Sequence, residues 1–248
     1  MHLQTTPLKR YHAFILDADN TLFDFNRAER AALREALRAN GYRHFSEDIF
    51  LRYHDINEEL WKLFERGRIS QEDLRIERFR RLLAYLPRPH HLRWSADPVK
   101  IGERYIEALS EKGYLLPHTR RVLRSLCSRA PLLLLSNGIA SVQRRRIKRA
   151  GIGIYFEDIL ISAEVGLAKP DPEIFALAID KLNSGKDGVL CVGDSPSSDI
   201  RGGHAAQLDT CWFAPAHREY PDHEPEPLYR ISDLRQLLRF LPTARRRF

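Results

Sequence analysis

Five short, mainly apolar runs constrain the fold of this chain: Phe14-Ile15-Leu16, Leu132-Leu133-Leu134-Leu135, Ile159-Leu160-Ile161-Ser162, Val189-Leu190-Cys191-Val192 and Thr210-Cys211-Trp212-Phe213. Each breaks off at a small or polar residue. Runs of this length without polar alternation read as strands covered on both faces, which is the habit of parallel sheets. From Pro117 onward they alternate with helical patterns: one from about Thr119, a basic one after Gly138, one through Leu182 and a closing helix over 232–241. Such alternation predicts an α/β fold with a doubly wound, Rossmann-like parallel sheet, of which 210–213 is the last strand.

Between the first run and the others, 27–89 is almost purely helical. One helix carries Ala28, Ala31, Ala32, Leu33, Ala36 and Leu37 and stops at Asn40-Gly41. A second starts near Ser46 and carries Ile49, Tyr53, Ile56, Leu60, Trp61 and Phe64 before Gly67. A third opens on Ser70-Gln71-Glu72-Asp73, which resembles a capping box, and runs to Pro87 and Pro89. A fourth extends from about Asp97 through Leu109 and ends before Gly113. The expected organisation is a catalytic core of 1–22 and 113–248, with an inserted helical-bundle cap of 23–112 forming a lid over the end of the first strand.

A length of 248 residues has room for a core domain plus a smaller one. The polar start and the lack of any apolar run of about 18 residues predict a cytoplasmic protein without a membrane partner. Cys127, Cys191 and Cys211 are far apart and lack metal-ligand spacing, so they read as reduced thiols. The formal charge of +7 raises the question of a nucleic-acid partner. Its densest cluster, Arg144-Arg145-Arg146 with Lys148 and Arg149, interleaves with Ile139, Val142, Ile147 and Ala150 at helical spacing. The cluster reads as the wet face of an amphipathic helix, and no nucleic acid is expected. A basic surface still steers small phosphate anions. The Arg245-Arg246-Arg247 tail reads as frayed.

The chemistry gathers where the runs end. Asp17 and Asp19 follow the first strand, and residues i and i+2 share a face, so their carboxyls are expected to converge on one bound group. Two adjacent carboxylates repel each other and an anion, which calls for a hard cation such as Mg²⁺. The plainer alternative is an acidic loop in which Asp19 or Thr21 caps a helix. Ligands of open parallel sheets bind beyond the carboxyl ends of the strands, where Ser136, Lys169, Asp194 and Asp199 also fall. Singly, Ser136 caps a helix, Lys169 is a solvated charge and Asp194 makes a turn; jointly they describe a phosphate site.

Through Asp17-Ala18-Asp19-Asn20-Thr21, Ser136-Asn137-Gly138, Lys169-Pro170 and Gly193-Asp194-Ser195-Pro196-Ser197-Ser198-Asp199, the chain resembles the haloacid dehalogenase-like superfamily over nearly its whole length. The helical insertion is similar to that family's C1 cap. The stretch from Asp17 to Phe25, the Lys169-Pro170 loop, and Thr210-Cys211-Trp212-Phe213 followed by His217-Arg218-Glu219 resemble the family's pyrimidine 5′-nucleotidases most. The commoner family motif has Gly where this chain has Asn20.

The resemblance implies that Asp17 attacks phosphorus and that Asp19 handles the proton of the leaving oxygen and of the attacking water. It implies Mg²⁺ held by the Asp17 and Asp194 carboxylates and the Asp19 carbonyl, with Asp199 behind them orienting Lys169 or a water. Ser136, Asn137, Gly138 and Lys169 would bind the phosphoryl oxygens, and Thr21, counted with them, would steady the nucleophile loop. The implied activity is phosphomonoester hydrolysis through an aspartyl-phosphate. The implied substrate is a small phosphorylated metabolite, a nucleoside monophosphate with pyrimidines preferred, handled by a monomer or dimer. Alternatives are a sugar-phosphate phosphatase or phosphomutase with the same aspartates, and a non-enzymatic phosphate-sensing or scaffolding relative. A departing halide needs no proton, so Asp19 argues against dehalogenation. Tyr53, His54 and Trp61, with Phe23 and Phe25 near the hinge, are candidates to meet a base, although their spacing also suits a cap core. His118 and His204 read as beginning or lining helices.

Overall fold

The five runs become five strands of one six-stranded sheet in which every pairing is parallel. A computed structural model of the chain describes residues 8–86, 97–215 and 218–242. In chain order the strands are β1 (Ala13–Leu16), β2 (Leu132–Ser136), β3 (Asp158–Ile161), β4 (Val189–Gly193), β5 (Asp209–Phe213) and β6 (Tyr229–Ile231). The helices are α1 (Phe25–Ala39), α2 (Glu47–Glu65), α3 (Gln71–Tyr85), α4 (Pro98–Ser110), α5 (Thr119–Cys127), α6 (Ala140–Ala150), α7 (Ser162–Val165), α8 (Pro172–Lys181) and α9 (Arg201–Ala205). Pro87, Pro89, His217 and the Arg245-Arg246-Arg247 tail lie outside the described residues.

The strand order is β3-β2-β1-β4-β5-β6. Leu16 stands beside Leu134 on one side and Val192 on the other. Strands β1, β2 and β4 are buried at every position, as their unbroken apolar character requires. Successive side chains of β1 go to opposite faces. Ala13 and Ile15 join Leu133, Leu135 and Cys191 against Phe175 and Ala178 of α8. Phe14 meets Tyr11, whose ring packs on Tyr229 and Phe240.

The chain divides into two units. One comprises Met1–Phe23, Leu115–Gly138 and Gly151–Phe248; the other comprises Asp24–Tyr114 and Ile139–Ala150. The helical unit therefore contains α6, which the expected span of 23–112 left in the core. The reason is packing: Val142 belongs to the apolar cluster of the helical unit, and α6 lies on α4. A Cβ at Gly113 would stand 3.1 Å from the Arg146 carbonyl, so any other residue would push that neighbour back by a few tenths of an ångström. Arg146, expected on the wet face, is fully buried. Its Nε donates to the Lys112 carbonyl and its Nη1 to Gln143, and its guanidinium lies over Phe25.

The helices of this unit begin where capping chemistry places them. The side chains of Asp24, Ser46, Ser70 and Asp97 accept from backbone N–H groups in the first turns of α1 to α4, each cap contributing about 1 kcal/mol. The Ser70 hydroxyl also donates to the Asp73 carboxylate at 2.7 Å. Gly41 and Gly67 follow α1 and α2 with φ of 92° and 65°, the left-handed region that glycine enters without strain.

Three further expectations are corrected. Ser162 starts α7 instead of ending a strand. The sheet continues past 210–213 to β6, whose three residues around exposed Arg230 form no apolar run. The closing helix is a 3₁₀ segment, Leu234–Phe240, fixed by Asp233 and Gln236 in a reciprocal capping box. Among the described residues, no helix is long and apolar enough to cross a membrane.

Inside the helical unit Glu29 is wholly buried, and a buried carboxylate persists only with partners. His54 Nδ1 donates to it at 2.7 Å and Asn57 Nδ2 at 2.8 Å, and Asn57 in turn accepts from buried Arg78. The Glu29 hydrogen bond, aided by Glu58, lifts the His54 imidazole from 6.5 to about 10. A folded-state value above the unfolded one gives stabilisation that is complete below about pH 6.5 and lost as pH rises through about 10. Urea unfolding should therefore show stability falling between pH 6.5 and 10, by about 2–4 kcal/mol after allowance for the part-exposed ring. The His54→Gln variant should be flatter over that window. An identical pH profile for both chains would remove the His54–Glu29 pair as its source.

Candidate active site

Strands β1 and β4 are neighbours from which the chain departs to opposite sides of the sheet, and such a switch point opens a crevice beyond their carboxyl ends. Asp17 extends β1 by one residue, its N–H bonded to the Val192 carbonyl at 2.9 Å. Asp194 directly follows β4. After Asp17 the backbone doubles back: the N–H groups of Leu22 and Phe23 both reach the Ala18 carbonyl, and that of Asn20 reaches Phe23. The turn sets Asn20 at φ 59°. That left-handed conformation explains the residue, because asparagine tolerates it best after glycine.

Lys169 sits at the centre, 3% exposed. Its Nζ donates to Asp17 Oδ1 at 2.7 Å, to Asp199 Oδ1 at 2.6 Å and to the Leu135 carbonyl at 3.1 Å, so its three protons have three acceptors. Burial alone would lower its pKa, yet the two carboxylates outweigh burial and raise it, so the ammonium stays charged. Its main chain is clamped by Asn137, whose Nδ2 donates to the Lys169 carbonyl and whose Oδ1 accepts from the Lys169 N–H, both at 2.8 Å. The peptide bond to Pro170 is cis.

Asp199 is brought back towards β4 by a π-helical turn, Pro196–Ile200, and its Oδ2 accepts from the Ser195 N–H at 3.0 Å. This return needs Gly193. A Cβ there would lie 2.1 Å from Asp199 Oδ2, closer than any contact allows.

One oxygen of each of Asp17, Asp194 and Asp199 lies within 4.8 Å of the others. Asp17 Oδ2 is buried without a hydrogen-bond partner among the described residues. Burial, and then Asp199 and Asp194, push the Asp17 carboxyl well above its usual range despite Lys169. Burial and Asp199 likewise raise Asp194 to about 7 against the pull of Arg218. Three carboxylates around one lysine leave an excess of negative charge in a poorly solvated place. An orphaned oxygen within an all-oxygen donor set suits a hard dication, so these residues fit Mg²⁺.

The carboxylates that cluster around Lys169 are thus Asp17, Asp194 and Asp199. Asp19 is partly exposed and lies in the turn, its backbone bridged to Phe23. Ser136 is buried and its Oγ accepts from the Gly138 N–H at 3.1 Å, closing the turn after β2. The Asn137 side-chain amide is engaged by the Lys169 main chain. Thr21 is fully buried and its hydroxyl has no hydrogen-bond partner among the described residues, so it does not steady the loop by a hydrogen bond. Tyr53 and Phe23 are also fully buried and do not stack on a ligand. Tyr53 packs between Phe79 and Tyr105, and His54 is bound to Glu29.

Sequence reasoning missed the part played by Arg218. Its Nη1 donates to Asp194 Oδ2 at 3.0 Å and to the Asp194 carbonyl at 3.3 Å. The same carbonyl accepts from Trp212 Nε1 at 2.8 Å. The available signals were its place in the His217-Arg218-Glu219 stretch of the resemblance and a basic residue shortly after an apolar strand, neither of which points to Asp194.

Comparison with known proteins bears on this arrangement. Residues 11–207 match the model of the haloacid dehalogenase-like hydrolases. Pyrimidine 5′-nucleotidase YjjG of Escherichia coli is 33% identical over 229 residues, covering 91% of this chain and 95% of its own. Pyrimidine 5′-nucleotidase PynA of Streptococcus pneumoniae is 32% identical over 92% of this chain and 94% of its own. The crystal structure of the HAD-hydrolase YfnB of Bacillus subtilis bound to magnesium superposes with a TM-score of 0.84 at 30% identity, covering 92% of this chain and 97% of that one. A doubly wound sheet with these four motifs at its switch point, and a family match across most of the sequence, lead to one assignment: the chain belongs to the haloacid dehalogenase-like hydrolase family.

Proposed function

We propose that this hydrolase cleaves phosphomonoesters through an aspartyl-phosphate on Asp17, with nucleoside monophosphates as substrates and pyrimidine nucleotides preferred. The observation that carries the reading is the ammonium of Lys169 seated between Asp17 and Asp199 while Asp17 Oδ2 is left open. In the first half-reaction a carboxylate oxygen of Asp17 attacks phosphorus, the ester P–O bond breaks, and Asp19 gives its proton to the departing alkoxide. In the second, water attacks the phosphorus of the aspartyl-phosphate, Asp19 takes the water's proton, and inorganic phosphate leaves with Asp17 restored. The part-exposed position of Asp19 suits a group that must reach both the leaving group and water.

Asp17, Asp194 and the main-chain carbonyl of Asp19 would hold Mg²⁺, which would supply positive charge against the phosphoryl oxygens. The magnesium in YfnB supports that choice. Lys169 and the turn formed by Ser136, Asn137 and Gly138 would hold the phosphoryl group as charge develops.

The nucleotide preference draws on the two pyrimidine 5′-nucleotidases of similar sequence. Its physical basis is size: a second ring is rejected sterically, whereas loosely contacted pyrimidines differ little among themselves. The test compares kcat/KM for UMP, dUMP, dTMP, AMP, GMP and glucose 1-phosphate with Mg²⁺ and with excess chelator. Pyrimidine nucleotides should exceed purine ones by about 10-fold or more, and chelation should abolish turnover. Equal efficiency on purines would remove the preference and spare the phosphatase. Formation of glucose 6-phosphate would favour a mutase, and no turnover of any ester would favour a phosphate sensor.

A further inference from the structure

The loop joining β5 to β6 is tied down at several places, and Arg218 is the residue it delivers to the candidate site. Glu224, 8% exposed, takes a forked pair of hydrogen bonds from Arg201 at 2.9 and 2.7 Å. Tyr220 sets its ring edge on Trp212 with centroids 4.9 Å apart and donates to the Pro225 carbonyl. The Arg230 guanidinium covers Tyr220 from the other strand at 4.8 Å. Trp212 and Arg218 then both bond to the Asp194 carbonyl, and Arg218 also holds Asp194 Oδ2. A surface arginine serving only solubility has no need of such an anchored loop.

We infer that Arg218 is a positioning residue for the cation site: by holding one oxygen of Asp194 it leaves that carboxylate a single oxygen to offer, which selects Mg²⁺ over Ca²⁺. The inference rests on the metal-dependent reading given above. Mg²⁺ takes carboxylates through one oxygen in a tight octahedron, while Ca²⁺ accepts both oxygens in a larger sphere of six to eight ligands. A guanidinium on Oδ2 therefore costs Mg²⁺ little and deprives Ca²⁺ of a ligand. Groups that orient a metal ligand from behind typically carry about 10–100-fold in metal affinity. Repulsion between the arginine and a dication acts the other way. With the Arg218 side chain 46% exposed, water screens that repulsion, so orientation decides the sign.

The experiment is calorimetric titration of MgCl₂ and CaCl₂ into the full chain and into its Arg218→Ala and Arg218→Lys variants, with melting temperatures taken in chelator as a check on folding. In Arg218→Ala the Mg²⁺ affinity should fall about 10-fold while that for Ca²⁺ holds or rises, so that the Mg²⁺/Ca²⁺ ratio drops at least as far. Arg218→Lys should recover part of the ratio. An unchanged or higher Mg²⁺ affinity in Arg218→Ala overturns the inference, the second outcome marking the arginine as a competitor of the cation. An equal fall for both ions also overturns it, since damage to the site lacks selectivity. Absence of Mg²⁺ binding by the unaltered chain overturns the metal reading and this inference together, whereas unchanged ratios with tight binding overturn this inference alone.

Discussion

Replacing Asp17 by Asn should leave a folded protein whose turnover of phosphate esters is lower by about four powers of ten or more. At 1.36 kcal/mol for each factor of ten, the barrier rises by at least about 5 kcal/mol. An amide oxygen does not form the acyl-phosphate, and no neighbour is placed to substitute: Asp199 is bound to Lys169 and the Ser195 N–H, and Asp194 to Arg218. Folding should survive because Asn is nearly isosteric and because burial and two neighbouring carboxylates already disfavour a charge at this position. The melting temperature measured in chelator should therefore stay level or rise. More than about a tenth of the original rate, after purification away from host phosphatases, would take the nucleophile's role from Asp17.

Much of this site could be read from the sequence because the fold puts its chemistry at strand ends. Strands β1, β2 and β4 are covered on both faces, so each is an unbroken apolar run whose end is visible as the first polar residue. Asp17, Ser136 and Asp194 stand at such ends or directly after them. Lys169 comes from a loop and Asp199 from the π-helical turn after β4, and only their motifs drew attention to them. What stayed hidden depends on contacts between residues distant in sequence, which no local periodicity records. The Asn137 amide clasps the main chain of Lys169 across 32 positions, and Arg218 reaches Asp194 across 24. Arg146 looks like one more charge on a basic helix, yet the Lys112 carbonyl and Gln143 draw it inside. Strand β6 is short and carries an exposed arginine, so it has neither length nor pattern.

The ion triad at the centre gives the second large effect. Lys169→Met keeps the length of the side chain and removes its charge, leaving Asp17 and Asp199 to face each other where only 3% of residue 169 is exposed. Breaking a buried ion pair from one side typically costs about 3–5 kcal/mol, because the uncompensated charge cannot be resolvated. The same change should lower kcat by about three powers of ten or more, since it removes both a donor to the phosphoryl oxygens and the cation that favours the ionised form of Asp17. Stability and activity can be separated by a second substitution. In the double variant Lys169→Met, Asp199→Asn the clustered carboxylates fall from three to two, Asp17 and Asp194, so part of the lost stability should return, about 2 kcal/mol by urea unfolding, as coupled neighbours require. Activity should not return, because Asp17 still lacks its ammonium partner. A single variant as stable as the original chain would show that the triad does not hold the site together. A double variant that regains turnover would show that Lys169 acts on Asp199 and not on the reacting group.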